Sequence, residues 1–305
     1  MNLMKPRLTK FFEFSVTHGV NLLSNPYDNT KGHCAMSNVS TDLIDFAKAG
    51  DARALEALVC AVQGNVYHLA MRMLADPQAA QDATQEILIR IVTKLSTFQG
   101  DSKFETWTYR VATNYLLTAK KIIARDPGLS FQLFADDLLN GLADETHAAP
   151  EDHVMLNELR IKCTMAMLLC LDRDHRAAYV LGEIFEFEHG EAASILDISP
   201  ANFRKRLSRA RTSVKDFTAA SCGLANPTAA CSCQRRLPAA MASGCIESLP
   251  SHDFLDAPAI KDVQAAAKKV EAELVAAKLQ RATGPLTPPQ DFAHAVLELV
   301  SPPDA

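Results

Sequence analysis

The chain has 305 residues, 48% of them hydrophobic, with 31 Lys plus Arg against 36 Asp plus Glu and a formal net charge of −5. At about 150 residues per domain this length predicts two domains. The acidic balance excludes a protein that is basic throughout, so any nucleic-acid surface has to be local. No apolar run approaches the ~18 residues of a membrane span and no cleaved signal peptide is indicated, so we expect a cytoplasmic protein without a membrane partner.

Residues 1–40 show no sustained hydrophobic period and contain the turn pairs Asn-Pro, Asp-Asn and Lys-Gly. Clear helical patterning begins only near Thr41, five residues after Met36. We therefore expect either a disordered extension or a chain whose true start is Met36 rather than Met1. We assign this segment no function.

Residues 41–125 carry helical periodicity, with apolar residues recurring at steps of three and four. Asp76-Pro77 supplies an N-cap and a first-turn proline for one helix. Residues 102–105 (Ser-Lys-Phe-Glu) fit a capping box that opens the next helix, which is predicted to reach Ile122. No strand alternation of useful length is found anywhere, so the predicted fold class is all-α.

Residues 126–150 interrupt the helical pattern with an Asp-Pro-Gly turn and an excess of acidic residues, which predicts a solvated linker. Periodicity returns over residues 151–218. There a short alanine-rich helix ends at residues 197–199 (Asp-Ile-Ser), and Ser199 is placed to cap a second helix that begins at Pro200. Two helices joined by so short a turn are typical of the helix-turn-helix motif.

The second helix of this pair carries charge of one sign. From Ser199 to Lys215 there are six basic residues and no acidic one. A solvated helix face usually mixes both signs, so this patch in an acidic chain predicts an anion-binding face suited to nucleic acid. The six are Arg204, Lys205, Arg206, Arg209, Arg211 and Lys215.

Two parts of the chain resemble conserved regions of one family. Residues 82–86 (DATQE), 98–102 (FQGDS) and 107–114 (WTYRVATN) are similar to the second region of the sigma-70 family of RNA polymerase sigma factors, in its extracytoplasmic-function (ECF) group. Residues 196–199 (LDIS) and 204–211 (RKRLSRAR) resemble the fourth region of the same family. The order and spacing of these segments also match the family.

The resemblance covers roughly residues 41–218 and implies two small helical domains there: 41–125 as the region 2 domain and 151–218 as the region 4 helix-turn-helix domain, joined by the acidic linker 126–150. Outside it, residues 1–40 form the N-terminal extension and 219–305 a Cys-containing, Ala-rich regulatory extension. The chain departs from the family at Glu186 and Glu188, where glycine and then Ser or Thr are usual. This departure weakens the expected N-cap of the helix before the turn.

The resemblance also implies which residues meet which partner. Core RNA polymerase would bind Asp82, Gln85 and Glu86. The −10 promoter element would be held by Gln99, Asp101, Ser102, Lys103, Arg110, Asn114, Lys120 and Lys121, whereas Trp107 lies on the apolar stripe and is expected in the core. At the −35 element Arg204, Lys205, Ser208 and Arg209 would reach base edges, and Asn202, Arg206 and Arg211 would hold phosphates.

Residues 219–305 lie outside the resemblance. Cys222, Cys231 and Cys233 have C-x8-C-x-C spacing, which is compatible with a zinc or copper site completed by Cys245 or His252, with redox-sensing thiols, or with inert cysteines. An amphipathic helix is predicted over residues 259–281 and a shorter one over 292–300. Because some ECF factors have cysteine-bearing C-terminal extensions that gate activity, the resemblance implies regulation in cis.

No catalytic constellation stands out, so we expect a non-enzymatic initiation factor that requires no cofactor. Its partners would be core RNA polymerase and promoter DNA, with an anti-sigma protein or the extension itself as the regulator. Two alternatives stay open. A helix-turn-helix regulator independent of core polymerase would explain only residues 173–217, and a metal- or thiol-sensing interaction protein would make DNA binding secondary.

Overall fold

The computed structural model describes residues 39–144, 153–246, 262, 265, 275–282, 286 and 288–300. Within these ranges the secondary structure is helical, apart from one isolated bridge between Cys222 and Cys231. The predicted all-α class is confirmed. None of the described helices is both long and apolar enough to cross a membrane.

The first bundle is built from five helices: α1 (Thr41–Lys48), α2 (Ala52–Leu74), α3 (Pro77–Thr93), α4 (Phe104–Thr118) and α5 (Lys120–Arg125). Asp51 and Asp76 cap α2 and α3, accepting backbone N–H groups at 2.8 and 2.7 Å. The predicted start of α3 is therefore confirmed. The stripe of apolar residues on each helix turns inward, and Leu58, Leu69 and Ile87 are completely buried.

The predicted capping box is wrong. α4 begins at Phe104, so its N-cap is Lys103, which has no side-chain cap. Ser102 lies one position too early, and its Oγ donates to the Lys103 carbonyl oxygen at 3.4 Å. The helix also ends sooner than predicted, because Ala119 is extended (ψ 121°) and separates Thr118 from α5.

A helix occupies part of the predicted linker. α6 (Phe131–Leu139) is capped by Ser130 and buries Phe134 and Leu138. The ring of Phe134 stacks on Phe217 with 5.3 Å between centroids. The helical spacing of these apolar residues is the signal that the acidic composition obscured.

The second bundle consists of α7 (His153–Leu169), α8 (Arg173–Tyr179) continued by a π-helical turn (Val180–Ile184), α9 (His189–Ile195) and α10 (Pro200–Ser221). Ser199 caps α10 by accepting the Asn202 N–H at 3.2 Å, as predicted. Glu188, at the N-cap of α9, makes no side-chain cap, so the weakened cap is also confirmed. A Cβ at Gly182 would lie 2.9 Å from Leu207 Cδ2, so glycine allows the π-helical turn to approach α10 closely.

Three described helices belong to the C-terminal extension: α11 (Cys233–Ala242), α12 (Val275–Arg281) and α13 (Ala293–Val300). α12 confirms the last part of the predicted 259–281 helix, most of which lies outside the described residues. α13 confirms the predicted helix over 292–300. The region before Val39, including Met36, and the candidate ligand His252 also lie outside the described residues.

The two bundles share one core with α12 and α13 of the extension, whereas α11 packs on α7 in a separate cluster. α4 of the first bundle contacts α9 of the second, and α12 lies against α7 and α10. α13 packs on α2 and α3, with Phe292 completely buried. The extension therefore touches both bundles.

Candidate nucleic-acid interface

The basic helix α10 presents one solvent-facing surface, which we call the recognition face. Its exposed residues are Arg204, Lys205, Ser208 and Arg209. The opposite side of α10 carries the buried residues Phe203, Leu207, Ala210 and Val214, which fix the helix against the bundle. Because residues at i and i+4 share a helix side, the three cations and the hydroxyl form a contiguous surface of the size a major groove admits.

The three predicted phosphate contacts differ in their surroundings. Asn202 is exposed at the start of α10. Arg206 pairs with the half-exposed Asp174 at 3.0 Å. Arg211 donates from Nε to Oε1 of the buried Glu183 at 3.0 Å. Arg211 is thus part of the second bundle's internal structure in this conformation.

The predicted −10 residues lie on α4, on α5 and on the loop before α4. Six are exposed: Gln99, Asp101, Lys103, Asn114, Lys120 and Lys121; Ser102 and Arg110 are partly buried. Trp107 is 9% exposed and stacks with Phe104, so its predicted core role is confirmed.

Two of these cations contact the second bundle, although the side chain of Lys103 stays 77% exposed. Arg110 donates to the backbone oxygen and to Oγ of Ser194 at 3.0 and 2.5 Å. Lys103 Nζ lies 4.0 Å from Oε1 of Glu191, which also accepts from Thr106 Oγ1 at 2.6 Å. Contacts between residues more than 80 positions apart in the chain have no local signal, and the sequence analysis missed them.

The predicted polymerase-binding residues Asp82, Gln85 and Glu86 lie on one side of α3 and are partly exposed. Asp82 pairs with Arg125 at 3.5 Å, and Glu86 pairs with Lys121 at 3.8 Å. Solvent-exposed ion pairs of this kind contribute about 1 kcal/mol or less. A protein partner can therefore displace them at small cost.

Four cysteines line one cavity of about 40 Å³: Cys163 of α7, Cys222 at the end of α10, Cys231 and Cys233. Cys245, predicted as a ligand beside Cys222, Cys231 and Cys233, does not line this cavity but lies in an adjacent apolar cluster with Leu156, against which Cys163 and Cys233 also pack. Burial raises the pKa of the Cys231 thiol to about 11. As the side chains stand, no three His, Cys, Asp or Glu residues of the described ranges are gathered at metal-binding spacing.

Two helical bundles, one of which presents a basic recognition helix after a four-residue turn, define the class of helix-turn-helix proteins. The family model "Sigma-70 region 2" matches residues 58–121, and the model "Sigma-70, region 4" matches residues 161–214. The chain is 31% identical over 186 residues to the ECF RNA polymerase sigma-E factor of Escherichia coli (strain K12), covering 59% of this chain and 95% of the relative. The sigma-E factor of Salmonella typhi is similar to the same extent.

A further relative is the RNA polymerase sigma-H factor of Pseudomonas aeruginosa, 29% identical over 177 residues, or 56% of this chain and 90% of the relative. The chain belongs to the sigma-70 family of RNA polymerase sigma factors, in its ECF group. The first bundle contains its region 2 and the second bundle its region 4. The cavity cysteines other than Cys163 lie beyond the residues that the family models match.

Proposed function

We propose that this protein is a sigma factor that binds core RNA polymerase and directs promoter-specific transcription initiation, without enzymatic activity of its own. Region 2 reads the −10 element and region 4 reads the −35 element. The proposal is carried by the presence of both regions in one chain, in the family's order, with a recognition face exposed on α10. Such activity requires the compartment of the polymerase and the chromosome, the cytoplasm.

The residue roles follow from this activity. Asp82, Gln85 and Glu86 contact core polymerase, where their weak ion pairs yield to the partner. The recognition face enters the major groove, and Arg or Lys side chains there bond guanine edges. The domain boundaries proposed are 41–125 for region 2 and 151–218 for region 4. A helix-turn-helix regulator independent of polymerase would leave region 2 without a role.

Run-off transcription with purified core polymerase on genomic fragments tests the proposal. We expect transcripts with defined start sites that appear only when this protein is added. The matched control is the triple variant Asp82→Lys/Gln85→Ala/Glu86→Lys, which should bind −35 DNA through region 4 but start no transcript. The sigma function is rejected if the protein gives no promoter-specific transcript in any redox or metal condition.

Substitutions on the recognition face should separate base reading from phosphate binding. Lys205→Ala and Arg209→Ala should each cost about 1–3 kcal/mol on cognate −35 DNA and relax base choice there. Arg206→Ala should weaken all sequences alike and lower the salt slope by about 1. Arg206 suits this comparison better than Arg211, whose loss would leave buried Glu183 with a weakened partner set. Equal losses on cognate and scrambled DNA for all three variants would contradict the assignment.

The conformation described here is too compact for both promoter elements at once. α9 packs against both α4 and α10. Since packed helices lie about 8–10 Å apart, the two DNA-reading helices lie within about 20 Å of each other. The −10 and −35 elements are about 25 base pairs apart, or roughly 85 Å at 3.4 Å per base pair. Promoter binding therefore requires the bundles to separate.

We further propose that the extension holds this closed form and so regulates the protein in cis. Arg72 of region 2 and Arg160 of region 4 donate to the carbonyl oxygens of Gln280 and Leu279, at the C-terminal end of α12, at 3.1 and 2.9 Å. Cations are favoured at that end of a helix. Arg281 pairs with Glu183 and Glu186. α12 is thereby joined to both bundles by hydrogen bonds and ion pairs. If the extension regulates the protein in this way, an anti-sigma protein would be a second regulator and not a necessary one.

A further inference from the structure

The four-cysteine cavity joins the extension to region 4. Its volume of about 40 Å³ is larger than the volume needed to hold one water molecule. Cys163 comes from the middle of α7. Cys222 ends the recognition helix, Cys231 lies in the loop that follows, and Cys233 begins α11. The cavity thus brings together thiols up to 70 positions apart in sequence. Cys163 was not predicted, because nothing in its local sequence distinguishes it from a core residue.

The backbone of the loop is arranged around the thiols. The backbones of Cys222 and Cys231 form an isolated β-bridge. In it the Gly223 N–H donates to the Cys231 carbonyl oxygen at 2.9 Å. A Cβ at residue 223 would lie 2.6 Å from that oxygen, so only glycine permits the approach. The backbone N–H groups of Ala225 and Asn226 donate to the Cys222 carbonyl oxygen at 3.0 and 2.9 Å, which fixes the turn that carries this thiol. Burial raises the pKa of the Cys222 thiol, and nearby amide groups partly oppose that shift.

Positive charge is buried beside the thiols. Arg160 is 1% exposed and lines the cavity together with Arg236. Its Nη1 donates to the Leu279 carbonyl oxygen and its Nε to Asn157 Oδ1. Its Nη2 has no hydrogen-bond partner within the part of the chain that the structure describes. A buried guanidinium group with an unpaired donor requires a nearby anion. Four thiolates around a divalent cation carry a net charge of −2, which Arg160 balances in part; Arg236 is already paired with Asp137 at 2.8 Å.

We propose that Cys163, Cys222, Cys231 and Cys233 form a tetrathiolate site for a soft divalent cation, Zn²⁺ being the reference case. Binding forms four metal–sulfur bonds and releases the four thiol protons to solvent. The sulfurs do not stand at coordination spacing in this conformation, so binding requires them to rotate about their Cα–Cβ bonds into the cavity. Oxidation is disfavoured as the main chemistry, because buried thiols with raised pKa values are poor nucleophiles. The site fastens the extension to region 4 and does not rest on the proposed sigma function.

Metal titration of the reduced, chelator-treated full chain tests the site, with Zn²⁺ and with Co²⁺ as a spectroscopic probe. We expect about one ion per chain, release of about four protons per ion at neutral pH, and an intense thiolate-to-cobalt charge-transfer absorption. Absence of that absorption, or tight binding without proton release, would overturn the proposal. A Cys222–Cys231 disulfide that the reductant does not break would also overturn the proposal.

Single variants decide which thiols are ligands. Cys163→Ser should lower Zn²⁺ affinity more than about 100-fold. Two matched controls, Cys170→Ser on the residue just after α7 and Cys245→Ser in the neighbouring apolar cluster, should bind like the wild type. If Cys163→Ser binds Zn²⁺ unchanged, or if Cys245→Ser loses it, the ligand set is wrong.

The thermal unfolding midpoint with and without Zn²⁺ tests the site even if Cys163→Ser fails to fold. Because an ion that binds only the folded chain stabilises it, stoichiometric Zn²⁺ should raise the thermal midpoint of the wild type and of Cys170→Ser. A wild-type midpoint that Zn²⁺ leaves unchanged would overturn the site.

Discussion

The variant Phe292→Ala is expected to initiate transcription about 5- to 100-fold more strongly than the wild type when the protein is limiting over core polymerase. Phe292 is completely buried where α13 packs on α2 and α3, and its N–H donates to Gln63 Oε1 at 2.8 Å. Truncating a buried phenylalanine costs about 3 kcal/mol or more. The cost falls on the docked extension, so the closed form loses population to the open one.

The control for this prediction is Leu299→Ala, on the same helix but 62% exposed, which should transcribe like the wild type. Hydrogen exchange should show that α13 loses protection in Phe292→Ala while α2 and α10 keep theirs. If α13 is released and transcription stays unchanged or falls, the extension does not inhibit in cis. Run-off assays at several protein concentrations would then show a purely structural role.

Arg176→Met is expected to lower the free energy of unfolding by about 3–5 kcal/mol. Arg176 has 2% of its side chain exposed and donates to carbonyl oxygens at the C-terminal ends of two helices. Nη1 donates to Met73 near the end of α2 at 2.7 Å, and Nε donates to Leu168 of α7 at 3.0 Å. Methionine fills similar volume but leaves these carbonyls buried without donors.

Asp126→Asn is the matched control, because Asp126 accepts from the same guanidinium group at 3.2 Å but is 21% exposed. Asparagine keeps an acceptor at this position, so Asp126→Asn should lower the free energy of unfolding less than Arg176→Met does. Urea unfolding of the two variants measures the difference. Burial lowers the pKa of Arg176, and the neighbouring Asp126 carboxylate opposes that shift. If the two variants unfold at the same urea concentration, carbonyl capping by Arg176 is not what joins the bundles.

Local patterns in the sequence predicted much of region 4. Ser199 and Pro200 start α10 as expected, and the residues at Phe203 and Leu207 face inward, which leaves Lys205 and Arg209 on the solvent side. These features depend on helical periodicity and on caps that act within about four residues. The capping box at Ser102 failed because the helix begins one residue later than that pattern places it, with Lys103 in the N-cap position.

The sequence by itself determined the all-α class, the helix-turn-helix motif and the one-signed charge of the recognition face, since each arises from residues within a few turns of one another. Tertiary structure alone decided that Arg110 bonds Ser194, that Arg72 and Arg160 meet at the end of α12, and that Cys163 rather than Cys245 lines the thiol cavity. These pairs are separated by roughly 60 to 210 positions in the chain. Such contacts form only when helices pack, because burial and the need to satisfy buried polar groups are properties of the packed core and not of any local pattern.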